Sequence, residues 1–81
     1  MSGFVREVDL HGLTVDEARI RLESAVRNAG SGVYTIIAVH GYRGGTAIRD
    51  MIYWKFRSNP DVLRVEPGEQ PGETRIVLKE L

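Results

Sequence analysis

Two segments of this sequence, one with alternating apolar residues and one uncharged throughout, each end on a His-Gly pair, and each is followed by a segment with helical periodicity. The pairs are His11-Gly12 and His40-Gly41. A strand followed by a helix, twice in succession, constrains the fold strongly, because the two strands then run parallel with a right-handed crossover. Their carboxyl ends meet at one edge of the sheet, together with the amino ends of both helices. The two pairs are therefore predicted to lie at the same edge, where open α/β sheets tend to bind ligands.

The two helices are indicated by their ends and by their apolar stripes. Thr14 and Glu17 have the spacing of a capping box at the start of the first helix, and Gly30-Ser31-Gly32 ends it. Thr46 begins the second helix, which ends at Ser58-Asn59-Pro60. The apolar residues at helical spacing are Val15, Ala18, Leu22, Ala25, Val26 and Ala29 in the first helix, and Ile48, Met51, Ile52 and Phe56 in the second.

Four segments have the composition of β-strands, namely residues 5–11, 33–39, 62–65 and 74–78. The second is uncharged throughout, which is typical of a central strand covered on both faces or nearly so. The resulting β-α-β-α-β-β order predicts an α/β fold, a two-layer sandwich in which both helices cover one face of a four-stranded mixed sheet. The whole chain, residues 1–81, is predicted to be a single domain.

Composition excludes several classes of site. The chain has no cysteine, so disulfides, thiolate zinc sites and cysteine nucleophiles are excluded. Its apolar runs are too short to cross a bilayer and no apolar signal region is present, which together with the absence of cysteine favours a cytoplasmic protein without a membrane partner. The sequence does not determine the oligomeric state, and a monomer is expected. Eleven basic residues balance eleven acidic ones, but residues 40–57 carry four basic residues against one acidic residue. Nine of the eleven basic residues are arginine, the side chain suited to bidentate phosphate contacts.

Asp9, His11 and His40 are the candidate catalytic residues at the predicted edge. Imidazole carries protons in both directions near neutral pH, so the two histidines could act as base and acid. Asp9 could orient His11, bind a cation or remove a proton. In the alternative interpretation, each histidine ends its strand and bonds to backbone, and Asp9 satisfies N–H groups at the helix start.

The second His-Gly pair continues into a glycine-rich stretch that suits a phosphate-bearing ligand. Glycine permits close backbone approach, arginine binds phosphate, and Tyr42 could stack on a base or pack against the helix. The candidate nucleic-acid contacts are Gly12, Gly41, Tyr42, Arg43, Gly44, Gly45, Thr46 and Arg49. No metal site with three ligands can be drawn, so no cofactor is assigned and dependence on a divalent cation stays open.

The two motifs together resemble the signatures of the small MutS-related (Smr) domain. Asp9-Leu10-His11-Gly12, with Glu17-Ala18 in the following helix, is similar to the first signature, and His40-Gly41 leading to Ala47-Ile48-Arg49 is similar to the second. By position, Asp9, His11, His40, Gly41 and either Gly44 or Gly45 match the family pattern, whereas Tyr42-Arg43 stands where a short Gly-Lys-Gly turn is common.

The resemblance implies the Smr fold, which is similar to the carboxyl-terminal domain of bacterial translation initiation factor three. It also implies nucleic-acid binding, with endonuclease or nicking activity on DNA or RNA in several members. A non-catalytic module that binds structured nucleic acid or ribosomal RNA is the alternative. A protein-interaction module that uses Tyr53, Trp54 and the last strand is a third possibility.

Overall fold

The computed structural model describes residues 4–42 and 45–80. Its elements are β1 (Val5–Asp9), α1 (Val15–Arg27), β2 (Thr35–Val39), α2 (Ala47–Phe56), β3 (Arg64–Pro67) and β4 (Glu73–Val77). This order confirms the predicted β-α-β-α-β-β arrangement. Within these residues, neither helix is both long and apolar enough to cross a membrane.

The four strands form one sheet in the order β1-β2-β4-β3. β1 pairs with β2 in parallel, and Asp9 lies opposite Val39 in the register. β4 is antiparallel to both of its neighbours, β2 and β3. The sheet is therefore mixed, and the parallel pair places the carboxyl ends of β1 and β2 side by side, as the two strand-helix units predict.

Both helices pack on the same face of this sheet. Ile36 and Ala38 of β2 and Ile76 of β4 point to that face, and each is fully buried. They share one core with residues from both helices, namely Ala18, Leu22, Val26, Met51, Ile52 and Phe56. On the opposite face Ile37 is only partly buried. β2 is thus less enclosed than its uncharged sequence predicts, because the two helices lie on one side.

The third strand lies two residues further along the chain than predicted. Residues 62–65 have the expected composition, but the strand runs over Arg64–Pro67. The N–H of Val62 donates to the carbonyl of Asn59 at 3.0 Å, so this residue closes the turn after α2 while its side chain enters the core. Pro67 can end the strand because β3 is an edge strand, where a missing N–H donor is tolerated.

Gly72, the last residue of the turn between β3 and β4, supports the segment that follows β2. Its carbonyl accepts the N–H of His40 at 2.9 Å and the N–H of Gly41 at 3.0 Å. Gly72 is buried, and a Cβ at this position would lie 2.9 Å from Gly41 Cα. A side chain here would press on the Gly41 backbone, so Gly72 allows the close approach that these two bonds need.

The capping box at α1 gives a stability prediction. The Thr14 hydroxyl accepts the N–H of Glu17 at 3.1 Å, and the Glu17 carboxylate accepts the N–H of Thr14 at 2.9 Å. We expect Thr14→Ala to lower the free energy of unfolding by about 1 kcal/mol, measured by urea denaturation. Thr46→Ala is the comparison, because it loses an exposed hydrogen bond to Asp50 but no capping bond and should therefore lose less stability. Equal losses in both variants would contradict the role given to the box.

The contact between Gly72 and Gly41 gives a second prediction. Gly72→Ala should lower the free energy of unfolding by about 1–3 kcal/mol, because the added methyl group has to displace backbone. It should also shift the amide NMR signals of His40 and Gly41. Gly32→Ala is the matched control, since nothing lies within 4 Å of a Cβ at that position. If Gly72→Ala is as stable as Gly32→Ala, the proposed crowding is wrong.

Candidate nucleic-acid site

The segment after β1 holds a close pair between Asp9 and His11. Asp9 Oδ1 accepts the backbone N–H of His11 at 3.1 Å and lies 2.6 Å from His11 Nδ1. A carboxylate only accepts hydrogen bonds, so Nδ1 carries the proton of the ring. Among the described residues no hydrogen bond reaches Nε2, and the His11 side chain is 76% exposed. Its Nε2 lone pair is therefore open to accept a proton from a ligand or from water.

The same contacts change the acidity of Asp9. The side-chain hydrogen bond from His11 is the main cause that holds the pKa of Asp9 below its usual value, and the backbone N–H of His11 acts in the same direction. Arg21 of α1 adds a smaller electrostatic effect of the same sign. Its guanidinium also reaches the Asp9 carbonyl at 3.4 Å. Asp9 is thus kept ionised, the state in which a carboxylate orients an imidazole.

His40, which directly follows β2, is held by both of its ring nitrogens. Nδ1 lies 2.7 Å from the carbonyl oxygen of Gly41, so this nitrogen carries the proton. In the neutral ring Nε2 then accepts the hydroxyl of Thr74, on β4, at 2.8 Å. The ring is half-buried. In contrast to His11, His40 has no ring nitrogen available to a ligand unless one of these bonds breaks.

The segments after β1 and β2 meet in one cavity of about 340 Å³. The segment after β1 contributes Gly12, Leu13, Thr14 and Val15 to its lining, and the segment after β2 with the start of α2 contributes His40, Gly45, Ala47 and Ile48. Asp9 and His11 do not line it but lie beside it, directly before Gly12. The two His-Gly motifs therefore come together at one edge, which is the arrangement that the parallel strands predict.

A smaller adjoining cavity, of about 100 Å³, contains most of the predicted phosphate contacts. His40, Gly41, Tyr42, Gly45, Thr46 and Arg49 line it together with Pro71. Tyr42 is 64% exposed, so it is not packed against the helix. Two predicted contacts, Arg43 and Gly44, lie outside the described residues. The remaining contacts, apart from Gly12 in the first cavity, are gathered around the amino end of α2.

The amino ends of the two helices are not equally suited to an anion. At α1 the capping box uses the N–H groups of Thr14 and Glu17, and Asp16 adds negative charge to the same turn. At α2 Asp50 also adds negative charge to the first turn, but the Thr46 hydroxyl donates to its carboxylate at 2.9 Å and makes no capping bond to a backbone N–H. Sequence alone indicated both helix starts as anion sites; the contacts favour the start of α2.

A metal centre finds little support in these side chains. Among residues 4–42 and 45–80, no group of three or more His, Asp and Glu side chains is arranged to hold a metal ion. The Asp9–His11 pair offers only two possible ligands, and His11 Nδ1 already donates its proton to the Asp9 carboxylate. No residue is assigned to a metal.

Three residues of the site escaped the sequence analysis because their partners are distant in the chain. Arg21 reaches Asp9 from α1, and Gly72 and Thr74 reach His40 and Gly41 from the region of β4. Thr74 carries one usable signal. Thr74 and Ile76 are two residues apart in β4, so both point to the face that the helices cover. A hydroxyl buried on that face needs a hydrogen-bond partner, and this could have been expected from the sequence.

The geometry agrees with comparisons to known proteins. A family model described as "Smr domain" matches residues 8–77, a range that contains both His-Gly motifs. The crystal structure of the Smr domain of Thermus thermophilus MutS2 is similar, with a TM-score of 0.81 and 32% sequence identity. That match covers 93% of this chain and 99% of the other. Among curated protein sequences, none matches. On its fold and on these matches, the chain belongs to the Smr domain family, whose members are associated with nucleic acid.

Proposed function

We propose that this Smr domain is an endonuclease that cleaves phosphodiester bonds of DNA or RNA, with His11 as the proton acceptor. The observation that carries the proposal is the Asp9–His11 pair, in which the carboxylate lies 2.6 Å from Nδ1 and Nε2 is left open. A histidine held in this way has a defined tautomer and orientation, as general-base catalysis requires. The adjoining cavities supply space for a phosphate beside the pair.

The reaction follows from the proton that Nε2 can accept. His11 takes the proton of the attacking oxygen, that oxygen forms a bond to phosphorus, and the bond from phosphorus to the leaving oxygen breaks. The leaving oxygen takes up a proton, so charge and atoms balance. On RNA the attacking oxygen is the ribose 2′-hydroxyl, and on DNA it is water. Asp9 stabilises the imidazolium that His11 becomes during this step.

The phosphate itself is bound around the amino end of α2. Arg49 lies in the first turn of that helix, and its only ionic contact among the described residues is a long one of 3.5 Å to Asp50. Its guanidinium can therefore turn to a phosphate, together with the N–H groups of the first turn. Tyr42 is exposed beside the same cavity and can stack on a neighbouring base. Arg43 and Gly44 stay predicted contacts on sequence grounds.

His40 has a second role in this proposal. As an acid it would protonate the leaving oxygen, and for that Nε2 has to carry a proton and release Thr74. In its present bonds it positions the loop, because it connects β2, Gly41 and β4. We propose that His40 is first a positioning residue and becomes an acid only when a bound substrate replaces the Thr74 contact.

A non-catalytic module that binds structured nucleic acid is the second candidate. The observation that favours it is the double engagement of His40, which leaves only one histidine available for proton transfer. Such a module would bind through the same cavities and the same arginine. It would show salt-sensitive binding without cleavage of any substrate.

A nuclease assay tests the first candidate. Wild-type protein is incubated with single-stranded RNA, supercoiled plasmid and branched DNA, with and without a chelator. We expect His11→Ala to lower the cleavage rate by about 10²–10⁴-fold, because the base is lost. Asp9→Asn should also lower the rate, since the amide no longer stabilises the imidazolium. Asp61→Asn, an exposed substitution in the connection after α2, is the control and should cleave normally.

Each result has a defined meaning. Cleavage by His11→Ala at the wild-type rate would contradict the assigned base. Tight binding with no cleavage by the wild type on any substrate would select the binding module instead. A rate that falls in His40→Ala but recovers in His40→Gln would show that this side chain positions the loop and does not supply a proton.

The Asp9–His11 contact also predicts a titration. The pKa of Asp9 is lowered in the folded state, so the pair stabilises the fold above the ordinary carboxyl pKa, and this contribution is lost as pH falls through the folded value. We expect His11→Ala to raise the pKa of Asp9, measured by NMR of its carboxyl carbon. Arg21→Ala should raise it less, because Arg21 acts only through charge. An unchanged pKa in His11→Ala would show that the pair does not form in solution.

A further inference from the structure

A cavity larger than the two at the His-Gly motifs lies along the outer side of α2. It is a groove of about 880 Å³ between the outer side of α2 and the turn that joins β3 to β4, and we call it the α2 groove. Arg49, Asp50, Tyr53, Trp54 and Arg57 form its α2 wall. The opposite wall is the turn with the start of β4, and it includes Glu69, Gln70 and Glu73. Its volume falls within the range of about 300–1,000 Å³ that is typical of ligand sites.

The α2 groove continues from the site proposed above. Arg49 and Pro71 line both the α2 groove and the small cavity beside His40 and Tyr42. A chain that places a phosphate at the amino end of α2 can therefore extend along the helix without leaving the surface. Arg49, Tyr53 and Arg57 are spaced four residues apart, so they share one face of α2.

The α2 wall carries two arginines against one carboxylate, Asp50, and combines this surplus of positive charge with exposed aromatic surface. Trp54 is 78% exposed, although tryptophan is usually one of the more buried residues. The guanidinium of Arg57 lies 5.7 Å from the Tyr53 ring centroid, and no carboxylate pairs with it among the described residues. Interleaved arginine and aromatic side chains are typical of surfaces that bind single-stranded nucleic acid, where bases stack and phosphates meet cations.

The length of the groove and the position of its arginines on one wall fit an unpaired strand. Arg49 and Arg57 are separated by about 12 Å along the helix axis, compared with about 3.4 Å per nucleotide in one strand of a duplex. The wall therefore spans more than one nucleotide. Glu69 and Glu73, on the opposite wall, repel phosphate but can accept hydrogen bonds from base amino groups. Phosphates are thus directed to α2 and base edges to the turn.

We propose that the α2 groove binds an unpaired strand of the nucleic-acid substrate, with one base stacked on Trp54 and phosphates at Arg49 and Arg57. This inference rests on the proposed function, because the strand is taken to continue from the cleavage site. A base within a duplex does not expose its face, so stacking on Trp54 selects single strands, flaps or loops. Fully paired substrate has no base to offer to this groove.

Trp54 is the only tryptophan of the chain, so its fluorescence reports on this groove alone. The protein is titrated with a dinucleotide, with a single strand of about twelve nucleotides, a length within the known range of single-strand site sizes, and with a blunt duplex. We expect the long single strand to quench Trp54 emission and the dinucleotide and the duplex to leave it nearly unchanged. In parallel, amide NMR follows residues 9–12 and 40–42 to report on the cleavage site.

Variants then test the energetic role of the stack. Trp54→Ala should bind the long single strand about 5- to 100-fold more weakly, since the loss of one stacked base has an effect of this order. Its affinity for the dinucleotide should not change. Trp54→Phe should retain much of the affinity because a ring remains. Ile20→Ala, a substitution of another exposed apolar side chain, on α1, is the matched control.

The outcomes separate this inference from the proposed function. If residues 9–12 and 40–42 respond to the long strand while Trp54 emission and the Trp54→Ala affinity stay unchanged, the strand path is wrong and the proposed function stands. If the duplex quenches Trp54 as strongly as the single strand, stacking on an unpaired base is wrong. If neither site responds to any oligonucleotide, the proposed function fails first. A stable complex with another protein through Trp54, together with indifference to nucleic acid, would overturn both.

Discussion

The parallel pairing of β1 with β2 is the interaction on which the site depends. The ladder continues past the last residue of β1, because the N–H of Leu10 donates to the carbonyl of Val39 at 2.7 Å. Leu10 is fully buried, and its neighbour Asp9 is exposed. A slip of one residue would turn the carboxylate into the core and the leucine to solvent. The burial of one apolar side chain therefore fixes the position of the pair that we assign to proton transfer.

The two histidines are held by different means, and this difference separates their roles. His11 contacts Asp9, two residues away in the chain, so its position depends on a local turn and its outer nitrogen stays open. His40 is bound to Gly41, Thr74 and Gly72, which connects it to a strand that forms at the other end of the sequence. A group fixed from several sides maintains geometry well but moves protons only after a bond has been broken.

Sequence predicted the features that depend on neighbours in the chain. The capping box at Thr14, the alternation around Asp9 and the apolar stripes of both helices are local patterns, and they appear in the fold as expected. The exception is Val15, predicted to belong to the first stripe but exposed at the start of α1. The limits of β3 were missed because the Asn59 turn decides where pairing begins. The contact between His40 and Thr74 joins residues 34 positions apart, and no periodicity of either strand encodes it.

The balance of charge constrains the kind of contact that this domain could make with nucleic acid. The chain has no net charge at neutral pH, so long-range attraction to a polyanion is weak. Its surplus of positive charge lies between residues 40 and 57. Arg49, within this range, lines both the α2 groove and the small cavity beside His40. The binding that we propose must then depend on short-range contacts, namely bidentate arginine bonds and base stacking. Such contacts depend on geometry more than on total charge, so the preference for unpaired strands that we propose does not require a basic domain.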